Sequence, residues 1–239
     1  MAPPKDPVRA LQEAVRASLS AQADPARAEG MRAYMKSAMP CYGVATTPLR
    51  KTCKELFASH PLADKDTWRR AVLTIWREAV FREERYVAIE LSGARVYKAH
   101  QATDLLPMYE EMIVTGAWWD FVDVIAIHRL GPILLASPEP MKRAMLEWSR
   151  SPDLWKRRTS VICQVAAKQK TDLDLLHRAI EANMADKDFF LRKAIGWALR
   201  SYAYVDASHV AGYVRDNRAR LSPLSRREAL KNIGGDPPE

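Results

Sequence analysis

WWDFVDVIAI, residues 118–127, is one of four stretches that decide the fold, with FREERYVAIEL at 81–91, WKRRTSVIC at 155–163 and FLRKAIGWAL at 190–199. Each opens on an aromatic residue, continues through charged residues and carries apolar residues at helical period. The leading aromatics, Phe81, Trp118, Trp155 and Phe190, are spaced by 37, 37 and 35 residues. Helix pairs recurring at about 34–47 residues mark an α-solenoid, in which each repeat buries its apolar face only against its neighbours. The repeat predicts an all-α fold, an α-solenoid of roughly six helix pairs with a concave binding face.

Working outward, helical spacing is nearly continuous. Ala10, Leu11, Ala14, Val15 and Leu19 form one apolar stripe, and Met31, Tyr34, Met35 and Ala38 another. Breaks are expected at Cys-Tyr-Gly 41–43, His-Pro 60–61, Ser-Gly 92–93, Thr-Gly 115–116, Gly-Pro 131–132 and Ser-Pro 137–138 and 151–152. Ser222 before Pro223 reads as an N-cap and first helical residue, and Gly234 as the stop of the last helix. No run alternates with the period of a strand, and no linker is long enough to separate domains. Residues 1–239 are therefore expected to form one repeat domain, frayed only at about 1–5 and 235–239.

Composition agrees. Nine glycines in 239 residues are few for a β-rich or glycine-loop nucleotide fold. Cys41, Cys53 and Cys163 are too few and too scattered for a disulfide framework, which points to a reducing cytoplasm. The opening residues hold no apolar signal core, and no stretch approaches the ~18 apolar residues of a membrane span.

The net charge of +8 is unevenly placed. Residues 142–170 carry eight basic and two acidic side chains, and residues 187–231 carry ten and four. Arginine supplies 24 of the 37 cations, and its planar fork suits phosphate. Two basic blocks, with no lysine-rich amphipathic anchor, favour a nucleic acid over a membrane.

Two helices carry residues off the expected apolar face. In GAWWDFVDVI, residues 116–125, Trp118, Val122, Ile125 and Ala126 share the core face. Trp119 and Asp123 lie four apart on another, so an indole and a carboxylate point the same way. Asp120 is explained as a first-turn acid favoured by the helix dipole. Asp123 lies beyond that turn and needs either an arginine partner or a function. In KAIGWALRSYA, residues 193–203, Trp197 leaves the stripe of Ala194, Ile195, Ala198 and Tyr202, beside Lys193 and near Arg200. Gly196 costs its helix ~1 kcal/mol relative to Ala, so a close neighbour is expected there. No zinc-type spacing, Walker loop, GxGxxG or GxSxG occurs, and no metal or nucleotide cofactor is expected.

Taken in order, EGMRAYMKSAMPCYGVATTPLRK, GAWWDFVDVI, DLWKRR, DKDFFLRKAIGWALRSYA and LSPLSRREALKNI resemble the bacterial AlkD-type alkylpurine DNA glycosylases over about residues 24–233. The GVATTP turn departs from that family by one extra residue. The resemblance implies a HEAT-like solenoid holding duplex DNA in a basic concave groove. It also implies a monofunctional base-excision repair enzyme that cleaves the N-glycosidic bond of cationic N3- and N7-alkylated purines. By the same resemblance Trp119, Asp123 and Trp197 match the catalytic cleft, and Arg158, Tyr34 and Arg200 match positions near the DNA. Lys156 and Lys193, from the basic helices, join them as DNA-binding candidates. The implied partner is double-stranded DNA bearing alkylated purines, bound by a cofactor-free monomer in the cytoplasm at the nucleoid. A cationic purine leaves without a general acid, so one carboxylate facing an oxocarbenium-like sugar suffices. The alternative is a non-catalytic helical-repeat module that binds damaged or branched DNA.

Overall fold

Seven aspartates and one serine start helices in this chain. Asp6, Asp24, Asp64, Asp153, Asp172, Asp188, Asp206 and Ser222 each accept a hydrogen bond from a backbone N–H of the first turn, satisfying donors that a helix start leaves open. The computed structural model describes residues 6–233, and these form fourteen α-helices and no strand. The predicted Gly234 stop and the frayed ends at 1–5 and 235–239 lie outside the described residues.

The chain divides into two compact units, one ending at His100 and one beginning at Gln101. The first contains α1 (Pro7–Ser20), α2 (Pro25–Met35), α3 (Thr46–Ser59), α4 (Lys65–Arg77) and α5 (Arg82–Ser92). The second contains α6 (Leu106–Gly116), α7 (Trp119–Ile125), α8 (Gly131–Ala136), α9 (Pro138–Trp148), α10 (Leu154–Ile162), α11 (Leu173–Glu181), α12 (Phe189–Ala203), α13 (Ala207–Asp216) and α14 (Pro223–Leu230).

In the first unit α1 buries Val8, Leu11, Val15 and Leu19 along one stripe, against α4 with Trp68, Ala71, Val72, Ile75 and Trp76. Ala10 and Ala14 are only half-buried, so the stripe is rotated from the expected one. The expected stripe on α2 is not a core stripe. That helix buries none of its residues, Tyr34 is 73% exposed, and Lys36 turns left-handed (φ 48°) before Ala38. The Cys-Tyr-Gly break is a built loop. The Glu83 carboxylate, fully buried at the start of α5, accepts from the backbone N–H of Tyr42, Gly43 and Val44 at 3.0, 2.8 and 3.1 Å. Gly43 has φ +88°, and a Cβ there would stand 2.1 Å from the Asp24 carbonyl oxygen. Only glycine fits that corner.

In the second unit the repeat positions meet in space. Trp118 precedes α7 as its N-cap, and Trp155 and Phe190 are the second residues of α10 and α12. Their rings gather into one cluster, with centroids 6.2, 5.5 and 5.1 Å apart. Phe81 stands likewise before α5 and stacks on Tyr42 at 3.8 Å. Gly-Pro 131–132 is not a break: a π turn over Ala126–Leu130 carries α7 into α8 without leaving helical backbone. A π turn loosens the ladder and lets the chain pass a proline that lacks an N–H. Gly196 does admit a neighbour, because a Cβ there would lie 2.4 Å from Glu228 Cβ on α14. All three cysteines are buried and free, and burial pushes the Cys53 and Cys163 thiols up to about 12.

Two histidines far apart in sequence share a hydrogen bond. His177 on α11 and His209 on α13 place their Nε2 atoms 3.1 Å apart, and the Tyr213 ring stacks on His177 at 4.5 Å. One ring must donate and the other accept, so the pair cannot hold two protons in place. Burial, then the His209 charge, lowers the His177 pKa against the opposing pull of Glu181 and Asp174. A depressed histidine stabilises the fold while neutral, and that stability is lost as pH falls below the unfolded value of about 6.5. Urea unfolding is expected to show stability falling from about pH 7 to about pH 5, with a shallower fall in His177→Gln.

Candidate active site

Asp123 lies on α7 past its first turn, with a side chain 14% exposed. Arg158 reaches it from α10 with two parallel bonds, Nε to Oδ1 and Nη2 to Oδ2, both 2.7 Å. Arg158 Nη1 donates to the carbonyl oxygen of Phe190, in the first turn of α12, at 2.6 Å. One guanidinium thus ties α7, α10 and α12 together. Its placement follows from the local sequence. Asp153 caps α10 by accepting from Trp155 and Lys156 N–H, and Trp155 seats its ring against Trp118 and Phe190. Arg158 comes three residues after Trp155, on the neighbouring face, with its guanidinium 6.0 Å from the centroid of the Phe190 ring.

Burial pushes the Asp123 carboxyl above the usual carboxylate range; the Arg158 hydrogen bonds and charge pull it back, and Asp120 adds a push upward. Both oxygens accept from Arg158, an arrangement that requires the ionised form. Asp123 therefore has the arginine partner that its position called for.

Trp119, one turn before Asp123 on the same face of α7, is half-buried. Trp197 is half-buried too, packed against the core of the second unit. It follows Phe190 by seven residues, on the same face of α12 and about 10 Å further along the axis.

The other candidates have distinct surroundings. Arg158 is 5% exposed at its side chain, with Nε, Nη1 and Nη2 all engaged inward. Lys156 pairs with Glu110 at 2.5 Å and lies over the Trp148 ring at 5.1 Å, with its side chain 17% exposed. Lys193 and Arg200 both end on Glu228, at 2.6 and 2.5 Å. Tyr34 belongs to the first unit, on the exposed face of α2.

Sequence reasoning missed Glu228, Glu110 and the Phe190 carbonyl. A carbonyl leaves no trace in residue type. Gly196 was a signal for Glu228, since it announced a close neighbour without naming it.

Helices led by aromatic residues, with a desolvated carboxylate gripped by arginine on one of them, define an all-α helical-repeat protein with an acidic centre. The family model described as DNA alkylation repair enzyme matches residues 15–233, and the chain belongs to that family. Membership gives it a role in the repair of alkylated DNA, with DNA as substrate. A solved structure described as a predicted DNA alkylation repair enzyme from Enterococcus faecalis is similar to the chain. The two superpose with a TM-score of 0.80 at 26% identity, over 88% of this chain and 96% of that one. No curated protein sequence matches. Among the described residues no helix is long and apolar enough to cross a membrane.

Breaking a buried ion pair from one side leaves an uncompensated charge. Arg158→Ala is expected to destabilise the protein by about 3 kcal/mol or more, measured by denaturant unfolding. Adding Asp123→Asn to that variant should restore some of the loss, because the stranded charge is then gone.

Proposed function

We propose that the chain is a monofunctional DNA glycosylase that releases cationic N3- and N7-alkylated purines from duplex DNA, acting as a monomer without metal or cofactor. The observation that carries this reading is the Asp123 carboxylate, desolvated and held in one orientation by Arg158, on a helix face shared with Trp119. The alkylated base is already positively charged. The bond between C1′ and the base nitrogen breaks with its electron pair passing to the base, which leaves neutral. The positive charge then resides on the sugar, where a fixed carboxylate stabilises it more than water would. Water adds to C1′ and gives up a proton, closing the balance as free base and an abasic sugar. Asp123 would orient that water and take up or pass on its proton.

Trp119 and Trp197 supply flat apolar walls that exclude bulk water and stabilise a cationic sugar through their π faces. Arg158 acts through Asp123, as a positioning residue, since its donors are spent inward. Lys193, Arg200 and Tyr34 are assigned to the DNA backbone, and Lys156 joins them by exchanging Glu110 for a phosphate. Binding of this kind is largely independent of sequence and releases counterions.

Duplex affinity should therefore fall steeply between low and physiological salt, as read by fluorescence anisotropy; a flat salt profile would remove the phosphate contacts from the reading. For the chemistry, duplex DNA containing 7-methylguanine or 3-methyladenine is incubated with the protein and free base is quantified. Asp123→Asn strands the buried Arg158 charge and should itself cost stability, so it is assayed where circular dichroism shows it folded; there it should keep duplex binding and lose about 10²-fold in base release. Asp120→Asn, a first-turn acid, should cost at most ~1 kcal/mol of stability and leave release nearly intact. Tight duplex binding by the wild type with no base released from any cationic lesion would instead establish the non-catalytic module.

A further inference from the structure

We infer that Glu228 is a positioning residue for duplex binding, holding Lys193 and Arg200 as one fixed cationic fork on α12. The inference rests on the assignment of those two cations to the DNA backbone. An acid on a face that meets a polyanion should, by charge alone, weaken binding. The way Glu228 is built in points the other way.

Its side chain is 11% exposed, and each carboxylate oxygen takes one cation: Oε1 the Lys193 ammonium at 2.6 Å, Oε2 the Arg200 guanidinium at 2.5 Å. The neighbouring helix is shaped to receive it. Gly196 stands between Lys193 and Arg200 in sequence, and a Cβ at that position would meet Glu228 Cβ at 2.4 Å and the Ser225 carbonyl oxygen at 2.8 Å. α12 thus gives up a side chain and helix propensity so that α14 can lie close enough to insert its acid. Ser225 fastens the same contact by donating its Oγ to the Arg192 carbonyl oxygen at 2.9 Å. The hydrogen bond and charge of Lys193, with those of Arg200, hold the Glu228 carboxyl below the usual range, so the bracket stays charged into acid.

Lys193 and Arg200 are seven residues apart on one face of α12, with Trp197 between them. Both side chains are long and rotamer-rich, and both are cationic. Without an acid between them they would repel each other and would have to be ordered anew on each phosphate. With it, much of that ordering is done in the free protein, and the Lys193 side chain remains 40% exposed, open to a phosphate. Near physiological ionic strength, screening over about 8 Å weakens the general effect of one negative charge. Lost positioning is not screened.

Affinity for an undamaged labelled duplex is measured by anisotropy at about 0.15 M salt, where that screening applies. The proteins are the wild type, Glu228→Gln, Glu228→Asp, the pair Lys193→Ala with Arg200→Ala, and that pair combined with Glu228→Gln. Glu228→Gln should bind about fivefold more weakly despite removing a negative charge, and should have no further effect once both cations are gone. Glu228→Asp keeps the charge but is too short to span both partners, so it too should weaken binding. It serves as the test if the Gln variant does not fold by circular dichroism. Wild-type or tighter affinity in either variant overturns the inference, as does an equal loss in the background lacking both cations, which would mark a merely structural role. Wild-type protein that binds no duplex fails at the earlier step and removes the DNA-binding assignment, and this inference with it.

Discussion

A guanidinium and a carboxylate buried together fix where three helices of the second unit stand. Neither Asp123 nor Arg158 can leave water without the other, because a lone ion in a low-dielectric surrounding costs far more than any contact nearby returns. Their two parallel bonds bring α7 and α10 into register, and the third donor of Arg158 adds the first turn of α12. Trp119 and Trp197 inherit their positions from helices placed in this way. The acid to which the proposed chemistry is assigned thus doubles as a structural tie.

The first unit holds a buried acid too, and the contrast separates two uses of one functional group. Glu83 is fully buried and accepts three backbone N–H groups of the loop at residues 42–44. All three of these hydrogen bonds end on that one loop, so the carboxylate serves to hold it. Asp123 is held by one side chain from another helix and keeps a small exposed edge. Its charge is balanced by one guanidinium, and the exposed edge is the part of the carboxylate that a cation from outside the pair can approach.

Much of the fold was legible because its signals are local. Aromatics at intervals of 37, 37 and 35 residues do stand at helix starts, and three of their rings meet. Ser222 caps α14 as its type and the following proline suggested, and Gly196 does face a neighbour. What misled was also local. Gly-Pro at 131–132 carries the residue types of a break, yet a π turn absorbs the proline. Met31, Tyr34 and Met35 have the spacing of a core stripe, but spacing cannot say whether another element will cover it. The site was only partly legible. Trp119 and Asp123 share a face by helical geometry alone, whereas the arginine that completes Asp123 lies 35 residues on. Glu228 reaches its cations from another helix, and tertiary packing alone could supply that pairing.

The buried thiols bear on the setting in which a repair protein of this family works. Electrophiles that alkylate purine nitrogens also alkylate sulfur, and they react with the thiolate rather than the thiol. With Cys53 and Cys163 pushed up to about 12, only a minute fraction of either is thiolate at neutral pH, and burial keeps that fraction from reagents. Burial thus sets Cys53 and Cys163 apart from electrophiles of the kind that alkylate DNA.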